Sequence, residues 1–141
     1  MDIAARLQPV TALAGRVQSA AKLAELQVRN QMPQVTPAAY VIPSGLRGGA
    51  ADAATGLFRQ AIDRMISIIL FVRLAGDGMG AAATAALEPL IDAVIDRIAG
   101  WAPDDATGVF RLGRGELIAF AAGMATYQLD FILDDQLRIT P

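Results

Sequence analysis

The segment Arg59–Leu74 (RQAIDRMISIILFVRL) constrains the fold more than any other part of the chain. Its β-branched and aromatic residues favour a strand over a helix. Alternate side chains of a strand point to opposite sides, which gives one set of Ile66, Ile68, Leu70, Val72 and Leu74 and another of Met65, Ser67, Ile69, Phe71 and Arg73. Because the middle is apolar on both sides, the segment predicts a central strand covered on both faces. The polar end, Arg59–Arg64, is expected to project beyond the core.

Two residue types, cysteine and histidine, do not occur in the sequence. Without them the chain has no disulfide, no thiolate chemistry, no Ser-His-Asp triad and few possible zinc ligands. Lys22 is the only lysine among 12 basic residues, which leaves little room for Schiff-base or P-loop chemistry. Isolated acids such as Glu116 and Asp130 have no partner base. The residues therefore offer almost nothing to support an enzyme.

Length and charge predict one domain with its own core. The chain has 141 residues, of which 54% are hydrophobic, too many for a disordered protein. The net charge of −2 argues against a general nucleic-acid or anionic-membrane binder. Met1–Arg6 lacks the order of a signal peptide, and the apolar run between Arg64 and Arg73 is well under the roughly 20 residues that span a bilayer. We expect the protein to be made and used in a cytoplasm.

The N-terminal region predicts two helices and a short strand. Asp2 is expected to cap a first helix, which Pro9 kinks and Gly15 ends. Its apolar face would consist of Ile3, Leu7, Val10 and Ala14. A very short strand is expected around Val17. Ser19 then caps a second helix, Ala20–Val28, whose inward side chains would be Leu23, Leu26 and Gln27.

The middle of the chain combines a strand, a glycine-rich segment and a helix. Ala38–Pro43 is a strand by composition, whereas Ser44–Gly56, with four glycines, predicts a flexible loop. After the central strand, Gly76–Gly80 is expected to end it, and a helix should run over about Ala81–Ala99. Pro89 is expected to bend this helix. Its apolar stripe comprises Leu87, Leu90, Ile91, Val94, Ile95 and Ile98. Gly100 supplies its stop, and Trp101 is expected to fold back onto its last turn.

The C-terminal region predicts antiparallel strands. Val109–Leu112 is a short strand, and Glu116–Ala121 is joined to Met124–Ile139 by a turn at Ala122-Gly123. The last strand has the clearest two-residue period. One face carries Tyr127, Leu129, Phe131, Leu133, Leu137 and Ile139, and the other carries Thr126, Gln128, Asp130, Asp134, Gln136 and Arg138. The second face is expected to meet water or a partner, with a bulge at Asp134-Asp135.

Three patterns could indicate a site. Gly76-x-Gly78-x-x-Ala81 has the strand-to-helix context of a dinucleotide fingerprint, but too little chain follows it for a doubly wound sheet, so a glycine-rich turn is favoured. Asp104-Asp105 and Asp134-Asp135 are favoured as solvated acids over metal ligands, because no further ligand cluster accompanies them. Arginines in or beside predicted strands are either solvated strand ends or interface residues. They are Arg47, Arg59, Arg64, Arg73, Arg111 and Arg114.

The order of several short motifs resembles a known family. Thr36–Pro43 (TPAAYVIP) comes first, Arg59-Gln60 leads into Ile68–Arg73 (IILFVR), a helix ends in Ile98–Pro103 (IAGWAP), and a glycine-flanked hairpin ends in Tyr127–Phe131 (YQLDF). Together these motifs, spread over nearly the whole chain, resemble the tail terminator proteins of long-tailed phages, prophages and gene transfer agents.

The resemblance implies a fold and a role. The fold would be α+β, of the lambda tail terminator type, with a mixed or antiparallel sheet of about four to five strands and two or three helices packed on it. Six copies would form a ring on the head-proximal end of the tail tube in the virion, after assembly in the host bacterial cytoplasm. The ring would stop tube polymerisation and dock the head–tail connector or stopper protein. It implies no catalysis, cofactor, metal, membrane or sequence-specific nucleic acid.

A ring needs a head-to-tail interface that closes. The exposed face of the last strand and the Ser44–Gly56 segment are the expected contributors. The candidate interface residues are Arg47, Arg59, Arg64, Arg111, Arg114, Gln128 and Asp130. Two alternatives stay open: another head–tail joining or tail-completion protein, and a regulator that binds a small molecule or nucleotide at Gly76–Gly80.

Overall fold

The computed structural model describes residues 2–54, 56–73, 81–104 and 106–140. Within these ranges the elements are helix α1 (Ile3–Leu7), a 3-10 turn (Thr11–Leu13), strand β1 (Val17–Ser19), helix α2 (Ala20–Val28), strands β2 (Ala38–Ala54) and β3 (Leu57–Arg73), helix α3 (Ala81–Ile98), and strands β4 (Phe110–Ala121) and β5 (Met124–Ile139). The strands form one sheet in the order β1-β2-β3-β5-β4, with β1 parallel to β2 and the other neighbours antiparallel. The expected α+β fold with a mixed sheet is confirmed.

Strand β3 lies at the centre of the sheet, and its middle, Ile66–Val72, is buried on both faces, as its sequence predicts. Ile66, Ile68, Leu70 and Val72 belong to the larger core, to which α1 and α3 contribute Ile3, Leu7, Leu87, Leu90, Val94 and Ile98. Ile69 and Phe71 belong to a smaller core against Leu23 and Leu26 of α2. We call these two sides of the sheet the α1/α3 face and the α2 face. Each fully buried aliphatic side chain contributes roughly 1.5–3 kcal/mol. The prediction that Gln27 of α2 points inward is wrong, since this residue is exposed.

The first helix is shorter than its apolar pattern predicts. Asp2 caps it as expected, with its Oδ1 accepting from the Ala5 N–H at 2.9 Å. However, α1 ends at Leu7, so Pro9 follows the helix and does not kink it. Proline has no N–H to continue the ladder, and the chain instead forms the 3-10 turn. Leu13 is buried there, whereas Ala14, with a φ of 48°, is exposed.

The segment Ser44–Gly56 is not a flexible loop, which corrects the prediction. Nearly all of it belongs to the 17-residue strand β2, which pairs with β3 as far as Ala54 opposite Leu57. A long central strand offers a row of backbone donors and acceptors, and pairing with it overrides the low strand propensity of glycine and alanine. Register shifts between Pro43 and Gly45, and between Gly48 and Ala51, accommodate the irregular part. The outer part of this hairpin is mostly exposed, so the predicted projection of Arg59–Arg64 is confirmed except for buried Ile62.

Strands β4 and β5 form a hairpin with the predicted turn. Ala122 and Gly123 both have positive φ, 53° and 74°, which suits a two-residue hairpin turn. The two segments predicted before this turn are one strand, β4, whose register shifts between Leu112 and Arg114 and between Leu117 and Ala119. The prediction of a bulge at Asp134-Asp135 is wrong, because both residues pair with β3 in an unbroken register.

Helix α3 carries the predicted apolar stripe and its predicted stop. Gly100 has a φ of 81°, and the Trp101 N–H donates to the Ile98 carbonyl at 3.1 Å, which folds Trp101 back towards the helix. The Trp101 ring stacks on Phe110 with a centroid distance of 5.8 Å. This contact joins the end of α3 to the start of β4.

Candidate interaction surface

The α2 face of the sheet is only partly covered by α2. Residues paired across neighbouring strands project to the same face, so the register places a set of charged side chains beside Ser67 and Asp63 of β3. We call this set the mixed-charge surface; its members are Arg47, Asp52, Arg59, Asp63, Arg111, Arg114, Glu116, Asp130, Asp134 and Arg138. All are exposed or half-buried. The surface contains five cations and five anions, so it has no net charge.

Six of the seven predicted interface residues fall on this face. Arg47, Arg59, Arg111 and Arg114 are exposed there, and Gln128 and Asp130 are half-buried. Arg64 is the exception. It pairs with Leu133 and Leu46 and points to the α1/α3 face. The sheet thus brings together residues from four strands that the sequence could not place relative to one another.

Exposed ion pairs occur within the mixed-charge surface. Arg111 Nη2 lies 3.6 Å from Asp134 Oδ1, and Arg114 Nη2 lies 3.0 Å from Glu116 Oε2. About half or more of each of these four side chains is accessible to water. Such pairs contribute about 0–1 kcal/mol to folding, and they can exchange partners at little cost. The surface is therefore suited to a protein partner with a complementary charge pattern.

Asp130 is held in place by hydrogen bonds. The buried Ser67 hydroxyl donates to its Oδ1 at 2.6 Å, and Gln128 Nε2 donates to the same oxygen at 2.9 Å. Glu116, the other acid considered as a catalytic candidate, is paired with Arg114. These two carboxylates are structural or surface groups with polar partners, and neither faces a base.

Arg64 has a different environment on the opposite face. Its Nε lies 3.0 Å from Asp135 Oδ2. Burial of Asp135 favours the neutral acid, but hydrogen bonds from the Gln136 backbone, from Arg64 and from the Thr107 backbone, together with the charge of Arg64, lower its pKa below the ordinary value of 3.8. This pair ties β3, β5 and the segment before β4 together. It is a structural contact that sequence spacing could not show, because Arg64 and Asp135 are 71 residues apart.

The structure tests the remaining site hypotheses only where they fall on described residues. No cluster of three or more acidic side chains suited to a metal ion occurs among the described residues. Asp134 and Asp135 point to opposite faces of β5, and Asp105 lies outside the described ranges. Gly76–Gly80, predicted as a glycine-rich turn with nucleotide binding as the alternative, also lies outside them. No helix in the described part of the chain is long and apolar enough to cross a membrane.

Comparison with known proteins identifies the family. The family model for phage tail terminator proteins matches residues 1–141. The chain belongs to the phage tail terminator family. Membership gives it a structural role in a phage-type tail, and the resemblance inferred from the ordered motifs is confirmed.

Among solved structures, this terminator-family chain is similar to a chain from the virion of a native gene transfer agent particle. The TM-score is 0.47 and the sequence identity is 20%, with 96% of this chain and 92% of that chain covered. No curated protein matches it significantly.

Proposed function

We propose that six copies of this chain form a closed ring on the head-proximal end of the tail tube. The ring stops tube polymerisation and gives the head–tail connector its docking surface. The observation that carries the proposal is the family match along the entire chain. The fold agrees with it, because much of the sheet is left open to partners on one face and at both edges.

The mixed-charge surface supports a protein partner over nucleic acid. A nucleic-acid site needs an excess of cations, because affinity depends on neutralising phosphates. Here five arginines are mixed with five carboxylates, with Arg47 opposite Asp63 and Asp52 opposite Arg59 across β2 and β3, and with Arg59 opposite Arg138 across β3 and β5. A charge pattern of this kind selects a complementary protein and fixes its orientation. We assign the surface to contacts with the tube or the connector.

The proposal includes the absence of catalysis. The chain has no histidine or cysteine, and the two acids considered above have other partners. The protein would act by shape and by its contacts, first free in the host cytoplasm and then in the virion.

The experiment measures the mass of the purified protein by light scattering over a range of concentration and salt, with and without purified tail tubes. Negative-stain images of the same samples are then recorded. Six-fold rings, alone or on one end of each tube, are the expected result. Rising salt should weaken tube capping, because exposed charges are screened within about 8–10 Å at physiological ionic strength. A protein that stays monomeric and leaves tubes free to elongate would contradict the proposal.

A further inference from the structure

The two edges of the sheet differ in a complementary way. At one edge, a groove of about 530 Å³ lies between α1, β1, the start of α2 and β2. Its apolar lining consists of Ile3, Ala4, Val17, Val41, Pro43 and Ile66. At the other edge, β4 exposes three large apolar side chains. Leu112 is 42% exposed, and Leu117 and Ile118 are each 50% exposed.

The register places these two features at the same height along the strands. Val17 pairs with Ala39, which pairs with Leu70, then Tyr127, then Leu117. Four residues further along β2, Pro43 pairs with Ile66, then Phe131, then Leu112. Leu117 and Leu112 therefore lie in the same rows as Val17 and Ile66, which line the groove.

The side chains also project to the same face. Ile66, Leu70 and Phe131 belong to the core under α1 and α3, so their row partners Leu112 and Leu117 point to that face too. The groove opens on this face, because Val17 and Ile66 are part of the same core. A shift of one copy sideways along the rows would bring the exposed leucines of β4 to the groove of the next copy.

Strand direction is compatible with this contact. From β4 to β2 the direction reverses three times, and β1 runs parallel to β2, so β4 and β1 are antiparallel. Rotation about an axis along the strands keeps every direction, so β4 of one copy would meet β1 of the next in the antiparallel sense. Both are edge strands of the sheet. The Val17 N–H of β1 already donates to the Gly15 carbonyl at 2.9 Å, so the contact depends more on side chains than on strand pairing.

Charged side chains at the two edges are compatible as well. Gln18, Tyr40, Ile69, Gln128 and Glu116 form one row, on the α2 face. Lys22 lies with Gln18 in the lining of the groove and pairs with Glu25 at 3.4 Å, so the same sideways shift would bring the carboxylate of Glu116 towards this exposed lysine–glutamate pair.

We propose that β4 of one copy docks into the α1–β1 groove of the next, with Leu112 and Leu117 covering its apolar lining. The occupant is a second copy of this chain. The contact joins unlike surfaces, so repetition gives a ring or a filament and not a two-fold dimer. The inference rests on the proposed ring and names the surfaces that hold it together.

Cysteine cross-linking tests the contact, because the natural sequence has no cysteine. Gln18→Cys and Glu116→Cys are introduced together, at exposed positions of one row on opposite edges. Rings on tail tubes are treated with oxidant or with a short bismaleimide and separated on a denaturing gel. A ladder from dimer up to the full ring is expected, whereas each single variant should stay monomeric on the gel, because a contact between unlike edges does not bring two copies of the same cysteine together. Ala24→Cys with Glu116→Cys is the matched control, since Ala24 is exposed on α2 and does not line the groove.

A second variant tests the apolar contact. Leu117→Glu should raise the concentration for half-assembly by about ten-fold or more, equivalent to at least about 1.4 kcal/mol. Val28→Glu is the control, because Val28 is 87% exposed on α2 and lies outside the groove. Thermal unfolding of the free subunits is used to check that both variants fold.

If the wild type forms rings but the cysteine pair gives no ladder and Leu117→Glu assembles normally, the β4 contact is wrong and the proposed function stands. If the wild type forms no rings even on tubes, both are wrong.

Discussion

Arg6 and Arg97 each donate a hydrogen bond to the other's backbone. Arg6 Nε lies 2.7 Å from the Arg97 carbonyl oxygen, and Arg97 Nε lies 3.0 Å from the Arg6 carbonyl oxygen. Both residues are in the last turn of their helices, where carbonyl groups lack helical partners. The pair joins the carboxyl ends of α1 and α3, and Arg6 also lies 5.0 Å from the centre of the Trp101 ring.

Substitution of either arginine of this pair should lower the stability of the fold and leave the mixed-charge surface unchanged. Arg6→Ala removes one charged hydrogen bond and the cation–π contact, so we expect the free energy of unfolding to fall by about 1.5–3 kcal/mol. Arg97→Ala should cost about 1–2 kcal/mol. Urea unfolding measures both, with Arg29→Ala at an exposed position as the control. A change in the near-UV signal of Trp101 should accompany the first variant only. Equal stability of all four proteins would contradict this account.

The sequence predicts the elements whose pattern is local. Alternation in β3 and β5, the stripe of α3 and the caps at Asp2, Ser19 and Gly100 depend on neighbours in the chain, and they are confirmed. What it could not predict depends on partners far along the chain. The glycine-rich half of β2 is a strand because β3 pairs with it. The Arg6–Arg97 pair spans 91 residues and has no sequence signal.

The candidate interface shows the same division. Sequence analysis could propose arginines near strands, because the residue type is common at interfaces. The alternation within β3 already separates Arg64 from Arg59, but the sequence could not tell that Arg47 lies on the same face as Arg59, since this depends on the register and on the irregularities of β2. The exposed side chains of Leu112 and Leu117 were also missed. Both residues lie on β4, an edge strand whose register is irregular, as is typical of a sheet edge.

Acid should weaken the Arg64–Asp135 contact. The pKa of Asp135 is lower in the folded chain than in the unfolded chain, where it is close to 3.8. Its ionised form therefore stabilises the fold fully above that value, and the contribution is lost as the pH falls through 3.8 towards the lower folded pKa. We expect the melting temperature of the wild type to fall more steeply than that of Asp135→Asn when the pH is lowered from about 6 to about 3. Asp134→Asn, whose side chain is 62% exposed, is the control and should follow the wild type.

Gly108 should tolerate no side chain. A Cβ at this position would lie 2.5 Å from the Asp134 carbonyl oxygen, which belongs to the backbone of β5 and cannot move aside. Gly108→Ala is therefore expected to lower the free energy of unfolding by about 1–3 kcal/mol. Gly45→Ala is the matched control, because its Cβ would meet only the flexible Met65 side chain, at 3.3 Å. Thermal or urea unfolding distinguishes them, and an equal loss in the two variants would show that the close approach at Gly108 is not the cause.

The mixed-charge surface should matter for capping and not for folding. Arg59 and Arg138 are register partners on this surface, and both are exposed. Like charges facing each other across strands are mildly destabilising, so Arg59→Gln should leave the free energy of unfolding unchanged or raise it by about 0.5 kcal/mol. If a partner supplies the missing negative charge, the same variant should lower the affinity for tail tubes or for the connector, and most strongly at low salt. Arg29→Gln, an exposed arginine on the C-cap of α2, is the matched control. Capping is measured by counting terminated tubes in negative-stain images across a salt series. Normal capping by Arg59→Gln at every salt concentration would remove Arg59 from the contact and would move the partner site away from the outer part of the β2–β3 hairpin.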